Sequence, residues 1–523
     1  MNAYSPRWAL LLVLVAIPFV LLAGFRLSPL EETGWGGAAT ILAPTLALVF
    51  ALIWLLLLSR LPWRKRVIGL VGLIFAGIGL CYSVRLDGHM GDFIPQLAWR
   101  WSPKPGDEVG KLDLPQSADA GALNPPAAIG PDDFPAFLGP NRDNWISGSQ
   151  LASNWAEQTP KQLWKREVGL GWSSFSVVGP FAYTLEQRND EEMVVCYSVD
   201  SGDPIWAHSE NDRFSESMGG DGPRSTPAIH QGKVYALTAK GLLLCLNAQD
   251  GTVLWRKDTL KDSGHSNLMW AKSCSPLMVN DLVVVTLGKS KDRSLAAYDL
   301  ATGELRWRAG DDSASYATPT LATLAGREQI VVLNANSLSG HRPDTGAILW
   351  SWKLPDTAPA HNSNPLIVED DKVLIGIGYG VGSWLLQIQT DTNDPNKQTV
   401  TEVWHNTYLK PKFTDLVLHN GYVYGLNETR LTCLNALTGE RAWRGPRYGH
   451  GQVLGVGDKL IIQKERGGIT IVKASPEGHE VIHEFDALEG KTWNHPVLAG
   501  SRLLLRNDHE AIAYEFPGNG SRQ

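Results

Sequence analysis

The sequence predicts an all-β fold, an eight-bladed β-propeller of four-stranded antiparallel blades, preceded by an N-terminal anchor of three transmembrane helices. Three observations lead there. A turn-and-tryptophan phrase is written five times: YSVDSGDPIW (197–206), LNAQDGTVLW (246–255), YDLATGELRW (298–307), HRPDTGAILW (341–350) and LNALTGERAW (434–443). A second phrase, a small or polar residue before short alternating strands, recurs eight times at blade-like spacing. Three apolar runs without a charge open the chain.

The apolar runs cover 8–25, 41–58 and 67–84, each 18 residues, the lower end of what crosses ~30 Å of hydrocarbon as a helix. The spans are expected at about 8–25, 38–59 and 67–84, within an anchor over 1–86. The loop SRLPWRKR carries Arg60, Arg64, Lys65 and Arg66, whereas the preceding loop has one cation, Arg26, beside Glu31 and Glu32. The positive-inside rule makes SRLPWRKR cytoplasmic and puts everything after Arg85 on the far side, the periplasmic side of a bacterial inner membrane. Reading the first run as a cleaved signal peptide leaves that orientation unchanged. None of the three runs contains Asp, Glu, Lys, Arg or His, so no proton or ion relay is visible in the anchor.

Residues 87–134 are rich in Pro, Ala and Asp and show no apolar period, so they read as a semi-extended linker. The propeller is expected over 135–517, with a short tail at 518–523. A net charge of −7 with 19% charged residues offers no basic excess for nucleic acid. Five cysteines are an odd number and speak against a disulfide framework. Cys196, Cys245 and Cys433 each lie six residues before their repeat's glycine, where another copy has Ala297. They read as small buried strand residues.

The blade-opening phrase begins at 173, 225, 274, 317, 363, 413, 451 and 494, as in STPAIHQGKVYAL and SNPLIVEDDKVLIGI. Each unit alternates apolar and polar residues between Gly, Asn and Asp turns, the pattern of short antiparallel strands. In the tryptophan phrase the glycine precedes the indole by four residues: Gly202/Trp206, Gly251/Trp255, Gly303/Trp307, Gly346/Trp350 and Gly439/Trp443. The glycine suits the φ > 0 position of a tight hairpin. The tryptophan falls on the next strand, where it can bury against the neighbouring blade. Burying ~150–250 Å² at ~25 cal/mol/Å² is worth roughly 4–6 kcal/mol gross, before ordering entropy.

Trp164, Trp404 and Phe485 occupy the same strand context without the full turn, which completes eight positions. The last strand, EAIAYEFP (510–517), is expected to pair with KQLWKREV and close the ring with strands from both ends. An insertion, DPNKQTVTE, lengthens one hairpin. Asp391, Asn393 and Glu402 there have part of a calcium-loop spacing, but Pro395 takes the fifth ligand position, so a plain hairpin insertion is expected.

The phrases LAAYDLATGELRW, LCLNAQDGTVLW and LTCLNALTGERAW resemble the tryptophan-docking repeat of pyrroloquinoline-quinone (PQQ)-like propellers. Two branches share that repeat: eight-bladed quinoprotein dehydrogenases, and the non-catalytic propeller lipoprotein of the outer-membrane assembly machine. FLGPNRDNW and DGPRSTPAI are similar to PQQ-like repeat proteins of planctomycete-type bacteria without assigned activity. The enzyme branch implies PQQ with calcium, a vicinal cysteine pair and a catalytic Asp. This chain has no adjacent cysteines and no C-x-x-C-H haem site.

The resemblance also implies that residues just before each blade's first strand face a central funnel. By blade, these are Trp172, then Arg224, then Trp270 with Lys272, and Tyr316. His361 with Asn362, Lys412, His450, and Trp493 with His495 complete the set. Aromatic rings among cations and amides suit a flat or anionic ligand. The function expected from these residues is a membrane-anchored binding or scaffold module for an envelope protein or small ligand, without a catalytic residue, metal or cofactor. The alternatives are a PQQ-dependent alcohol or sugar dehydrogenase using the funnel, and a propeller that only spaces an assembly.

Overall fold

The computed structural model describes residues 7–28, 36–92, 94–103, 110, 112–114, 128–147, 151, 155, 159–288, 293–356, 358–392, 394 and 396–516. Asn393, Pro395 and the tail 518–523 lie outside them, as does much of the expected linker. The chain forms two compact units, Met1–Lys104 with Ser217–Gly220, and Pro105–Glu216 with Asp221–Gln523.

The first unit contains α1 (Trp8–Leu27), α2 (Gly36–Ile53, continued by a π-helical turn over Trp54–Leu58) and α3 (Trp63–Ser83). All three are long and apolar enough to cross a membrane by length and composition. Trp54 fixes the α2 end to the α1 start, with its indole donating to Arg7 O (2.9 Å) and its ring 5.1 Å from Trp8. Strand β1 (Val84–His89) follows α3 without a spacer and pairs antiparallel with β2 (Pro95–Trp99). Part of the segment expected to be an extended linker is therefore a hairpin. Its Leu86/Leu97 and Val84/Trp99 pairs supply strand-forming side chains that a reading for Pro, Ala and Asp content passes over.

The second unit is an eight-bladed β-propeller with four-stranded antiparallel blades. Blades 1 to 7 run over Ser176–Glu210, Ala228–Asp258, Leu277–Ala309, Thr320–Lys353, Leu366–Asn406, Val417–Arg447 and Gln452–Asp486. Blade 8 takes three strands from Val497–Glu515 and its outer strand, β4 (Lys161–Glu167), from the beginning of the unit. The ring closes through that pairing, Ala513 opposite Trp164, as the two end segments lead one to expect. The insertion in blade 5 is a hairpin of two nine-residue strands, with Thr390 paired to Gln398.

Each docking tryptophan faces a small or aliphatic residue on the third strand of its own blade: Cys196/Trp206, Cys245/Trp255, Ala297/Trp307, Cys433/Trp443. In three of these blades a second-strand tyrosine (Tyr183, Tyr235, Tyr424) packs 5.9–6.1 Å from the indole, so a small thiol is what fits between. At five joints the indole then crosses to the next blade and lies on that blade's turn glycine. A Cβ added to Gly202, Gly251, Gly303, Gly346 or Gly439 would sit 2.5–2.7 Å from a ring atom of Trp164, Trp206, Trp255, Trp307 or Trp404 respectively. All five glycines hold φ between +70° and +74°. Glycine is thus required twice, for the backbone and for the indole.

Each of these five indoles also donates to a carbonyl of the next blade, as in Trp206 to Ala248 O (3.0 Å) and Trp255 to Leu300 O (3.1 Å). Trp350 departs from the pattern. Blade 5 has the insertion where the glycine turn would be, and Trp350 donates instead to Gln329 Oε1 (2.5 Å) of its own blade. Gln329 in turn donates to Gln398 of blade 5 (3.0 Å). At the joint after blade 7, Phe485 packs edge-on to Tyr514 (5.1 Å).

Trp443 docks differently. It is half-buried, unlike Trp206, Trp255, Trp307 and Trp350, which are buried. Trp404, which does lie on Gly439, is half-buried as well. Blade 7 reads SPEGH at this joint, and a Cβ on its Gly478 would touch nothing within 4 Å, so no glycine backs the ring. Trp443 still crosses to blade 7, donating to Ser475 O (2.8 Å) with His479 edge-on at 5.8 Å. The hydrogen bond of the docking motif is kept there and the close packing is lost.

A second ring of contacts runs around the axis where the first strands begin. The backbone N–H of Ser174 donates to Thr226 Oγ1, Thr226 to Ser275 Oγ, Ser275 to Thr318 Oγ1, Thr318 to Asn364 Oδ1 and Asn364 to Asp415 Oδ1, at 2.6–3.1 Å. Gln452 bridges Phe413 O and Trp493 O, and Ser174 Oγ donates to His495 O (2.5 Å), which completes the collar. Proline follows the collar residue in five of eight blades (TP, SP, TP, NP, HP) and holds that residue extended, so its side chain can reach the preceding blade.

The channel below the collar is filled by the chain itself. Phe134 exchanges backbone hydrogen bonds with Val177 of blade 1 (2.8 and 2.9 Å), and Pro135 O accepts from Ile229 N of blade 2 (2.8 Å). Arg142 donates to Pro276 O next to blade 3. Asn144 donates to Val453 O (2.9 Å) and accepts from His495 Nε2 (2.8 Å). A two-residue strand, β3 (Trp145–Ile146), then adds in parallel to the inner edge of blade 7, making it five-stranded. The inner edge of a propeller blade carries unpaired backbone groups, and this plug satisfies several of them. Leu138, Arg142 and Asn144 hold φ of 56–66°, a conformation non-glycine residues keep only where surrounding contacts enforce it.

Two outcomes follow from these contacts. Trp307→Ala is expected to lower the unfolding free energy by ~3–5 kcal/mol in denaturant titration, the range for truncating a buried aromatic. Burial raises the Asp415 carboxyl from 3.8 to about 7, so its contribution to stability is full below pH ~4 and is lost as the pH rises through 7. Asp415→Asn keeps the acceptor for Asn364 N–H, so wild type and variant should unfold alike at pH ~4, with the variant gaining relative stability up to pH ~8.

Candidate functional site

In a four-stranded meander, the approach to strand 1 and the loop between strands 2 and 3 share one end of the blade. The hairpin turns with the docking glycines share the other. The first end forms the funnel mouth. Trp172 and Trp493 meet there at 5.1 Å, and Phe413 lies 4.7 Å from Trp493. Lys491 Nζ sits 4.8 Å and 4.5 Å from the centres of the Trp172 and Trp493 rings. Lys412 Nζ lies 4.7 Å from Tyr379 and 5.5 Å from Phe413. Burial lowers the Lys491 ammonium below its usual range.

The Trp493 indole donates to Glu465 Oε1 (3.1 Å), whose other oxygen accepts from His450 N (3.1 Å). Arg224 lies 4.7 Å from the Phe214 ring, with its pKa lowered to about 10, chiefly by burial. Trp270 and Tyr316 pack at 5.6 Å. Asn362 donates to Lys412 O (2.8 Å). The mouth is therefore aromatic and cationic, with carboxylates interleaved.

Three of the expected funnel residues point elsewhere. Lys272 is fully buried and donates to Thr286 O (2.7 Å), Thr286 Oγ1 (3.0 Å) and Leu287 O (2.5 Å) within its own blade. His361 is a wall residue between Asn334 O (2.9 Å) and Ala358 N (3.2 Å). His495 belongs to the collar and the plug. It packs near Phe134 and Phe137, and burial lowers its pKa to about 4. Conversely, Lys491, Phe413, Tyr379, Phe214 and Glu465 join the mouth without having been singled out. Lys491 and Phe413 are near neighbours of expected residues in the chain, whereas Tyr379 and Glu465 come from loops between strands 2 and 3.

Below the collar, a cavity of about 250 Å³ remains between the plug and blades 4 to 6. Arg142, Asn144, Asn364 and Asp415 are among its lining residues. It is separate from the mouth.

The sequence matches the family described as outer membrane protein assembly factor BamB over residues 190–445, from blade 1 to blade 6. The fold agrees. BamB from Moraxella catarrhalis superposes with a TM-score of 0.50 at 16% identity, covering 70% of this chain and all of that one. The chain is a PQQ-like β-propeller resembling that assembly factor. A europium-containing methanol dehydrogenase superposes on the propeller with a TM-score of 0.57 at 11% identity, covering 74% and 98% of the two chains. Quinohemoprotein alcohol dehydrogenase from Comamonas testosteroni gives 0.54 at 13%, covering 76% and 82%. At such identities these structures share the fold alone. Subunit 1 of methanol dehydrogenase from Paracoccus denitrificans is 32% identical over 91 residues, 17% of this chain and 14% of that relative.

The quinone–calcium pair of the dehydrogenase branch fits the PQQ-like propeller only in part. The indoles and ammonium groups of the mouth suit a planar anion. Among the described residues, however, no three His, Cys, Asp or Glu side chains are grouped to hold a metal ion. Cys196, Cys245, Cys274 and Cys433 are buried in the propeller and none adjoins another in sequence, so no vicinal sulfur pair faces the mouth. Trp270 is half-buried and touches no docking glycine. Trp270→Ala is therefore expected to cost less than about 2 kcal/mol in thermal unfolding, well below Trp307→Ala.

Proposed function

We propose that this protein is a membrane-anchored, periplasm-facing propeller that binds a protein partner or small ligand at the funnel mouth and performs no chemistry itself. The observation that carries this reading is the mouth cluster, Trp172, Trp493 and Phe413 around Lys491 and Lys412, presented above a plugged channel. Half-buried aromatic rings backed by buried ammonium groups, as Trp172, Trp493 and Phe413 are by Lys491 and Lys412, supply anchor contacts in recognition sites. The likeness to the assembly factor is in keeping with a protein partner. The three apolar helices and the Arg/Lys-rich loop between the second and third support anchoring with the propeller on the periplasmic side.

A quinone-dependent oxidoreductase is the second reading, favoured by the 91-residue match to a methanol dehydrogenase. The two predict different behaviour of the purified full chain. On the binding reading, PQQ with calcium leaves no retained quinone absorbance, does not raise the melting temperature and supports no dye reduction with alcohols or sugars. Envelope proteins are retained by the wild-type chain and lost from an Arg224→Ala/Trp270→Ala/Trp493→Ala variant that still melts cooperatively. Quinone uptake with dye reduction would move the protein to the oxidoreductases. Undiminished retention by the triple variant would leave the mouth without a role.

A further inference from the structure

The β1–β2 hairpin presents an apolar face that, among the described residues, nothing in its own unit covers. Leu86 and Leu97 are cross-strand partners, as are Val84 and Trp99, so these four side chains share one face. Leu86, Leu97 and Trp99 are 52%, 65% and 50% exposed, and Trp101, just past β2, is 70% exposed. Trp99 and Trp101 stack at 5.0 Å with their planes 7° apart.

The opposite face is polar. Arg85 lies there, held by Asp87 (2.6 Å) and by the carbonyls of Ser102 and Pro103. Two stacked tryptophans and two leucines turned outward are costly in water, while the charged side is tied to its own backbone.

The position of the hairpin names what covers it. β1 starts at the residue after the last residue of α3, and Arg100 N donates to Ser83 O (2.8 Å), so both hairpin ends are fixed to the helix terminus. The exposed apolar surface of α3 runs through Ile78, Leu80 and Tyr82 up to that junction. A face continuous with a membrane-length helix, ending in tryptophans, has the composition found at the boundary between acyl chains and headgroups.

We propose that the β1–β2 hairpin lies on the periplasmic surface of the bilayer, with Leu86, Leu97, Trp99 and Trp101 inserted at the lipid interface. The inference rests on the anchoring reading above. It gives the junction after α3 a role of its own, a second and interfacial contact with the membrane beyond the helices.

The test uses full-length protein in phosphatidylcholine vesicles. Cys81→Ser removes the one exposed cysteine, the other four being buried. Single cysteines are then introduced as Leu97→Cys, Gln96→Cys or Ile74→Cys and labelled with an environment-sensitive fluorophore. Nitroxide lipids carry the quencher either just below the headgroup or near the chain end.

The Leu97 label is expected to be quenched about twofold more than the Gln96 label, and more by the shallow nitroxide, as for a face buried ~5–10 Å. The Ile74 label, within α3, should be quenched by the deep nitroxide. If Ile74 is quenched while Leu97 and Gln96 are equally unquenched, the face is covered by protein and the proposal fails, with the anchor intact. If Ile74 is unquenched as well, the anchoring reading fails and the proposal with it.

Discussion

An indole lying on a glycine of the next blade is the contact on which the rest of the propeller depends. A four-stranded sheet cannot cover its own faces, and a ring of eight such sheets is held by what passes between them. At five joints the same solution is used: a tryptophan from the outer strand, a small or aliphatic residue opposite it, and a left-handed glycine beyond it. The geometry explains the repetition of the phrase DLATGELRW and its relatives more completely than the turn alone does. It also explains the exceptions. Where the insertion in blade 5 replaces the glycine turn, Trp350 finds a glutamine in place of a carbonyl, and Gln398 carries the contact across. Where blade 7 offers SPEGH, Trp443 keeps its carbonyl but stays half-buried beside His479.

The docking ring and the collar divide the propeller into two ends with different duties. The glycine turns lie at one end, and from that side residues 133–146 enter to fill the channel. At the other end the collar of Ser, Thr, Asn, Asp and Gln side chains runs around the axis, joined by the His495 carbonyl, and the aromatic and cationic residues stand beyond it. The plug and collar satisfy the inner strand edges, and the half-buried rings of Trp172, Phe413 and Trp493 lie at the other end of the blades. That separation of structure from display is what makes a binding role the economical reading of the mouth.

The fold was legible because its signals are periodic. The eight strand phrases, the glycine–tryptophan spacing and the pairing of EAIAYEF with KQLWKREV each have a direct counterpart in the blades. What the spacing could not tell is which indole meets which glycine, since each ring docks on the following copy and so depends on a turn some 32–48 residues away, as Trp443 shows. The site was legible only in part. Positions before the first strand include true mouth residues such as Trp172 and Trp493. Two residues further along, however, a side chain has left the mouth for the collar or the blade, as His495 after Trp493 and Lys272 after Trp270 show. The plug left no periodic trace in FPAFLGPNRDNW, since its bonds are made one at a time with several different blades. The hairpin after α3 was hidden by the Pro- and Asp-rich sequence that follows it.

The claim that indole–glycine docking holds the blades together is tested most directly by a double-mutant cycle on one joint. Gly303→Ala carries two costs, a strained backbone and a Cβ 2.6 Å from the Trp255 ring, and only the second depends on the tryptophan. The unfolding free energy is measured for wild type, Gly303→Ala, Trp255→Leu and the double variant. Docking predicts that Gly303→Ala costs less in the Trp255→Leu background, with a coupling of roughly 1–3 kcal/mol. An equal cost in both backgrounds would mean that the glycine serves its own turn alone, and the contact between blades would have to lie elsewhere.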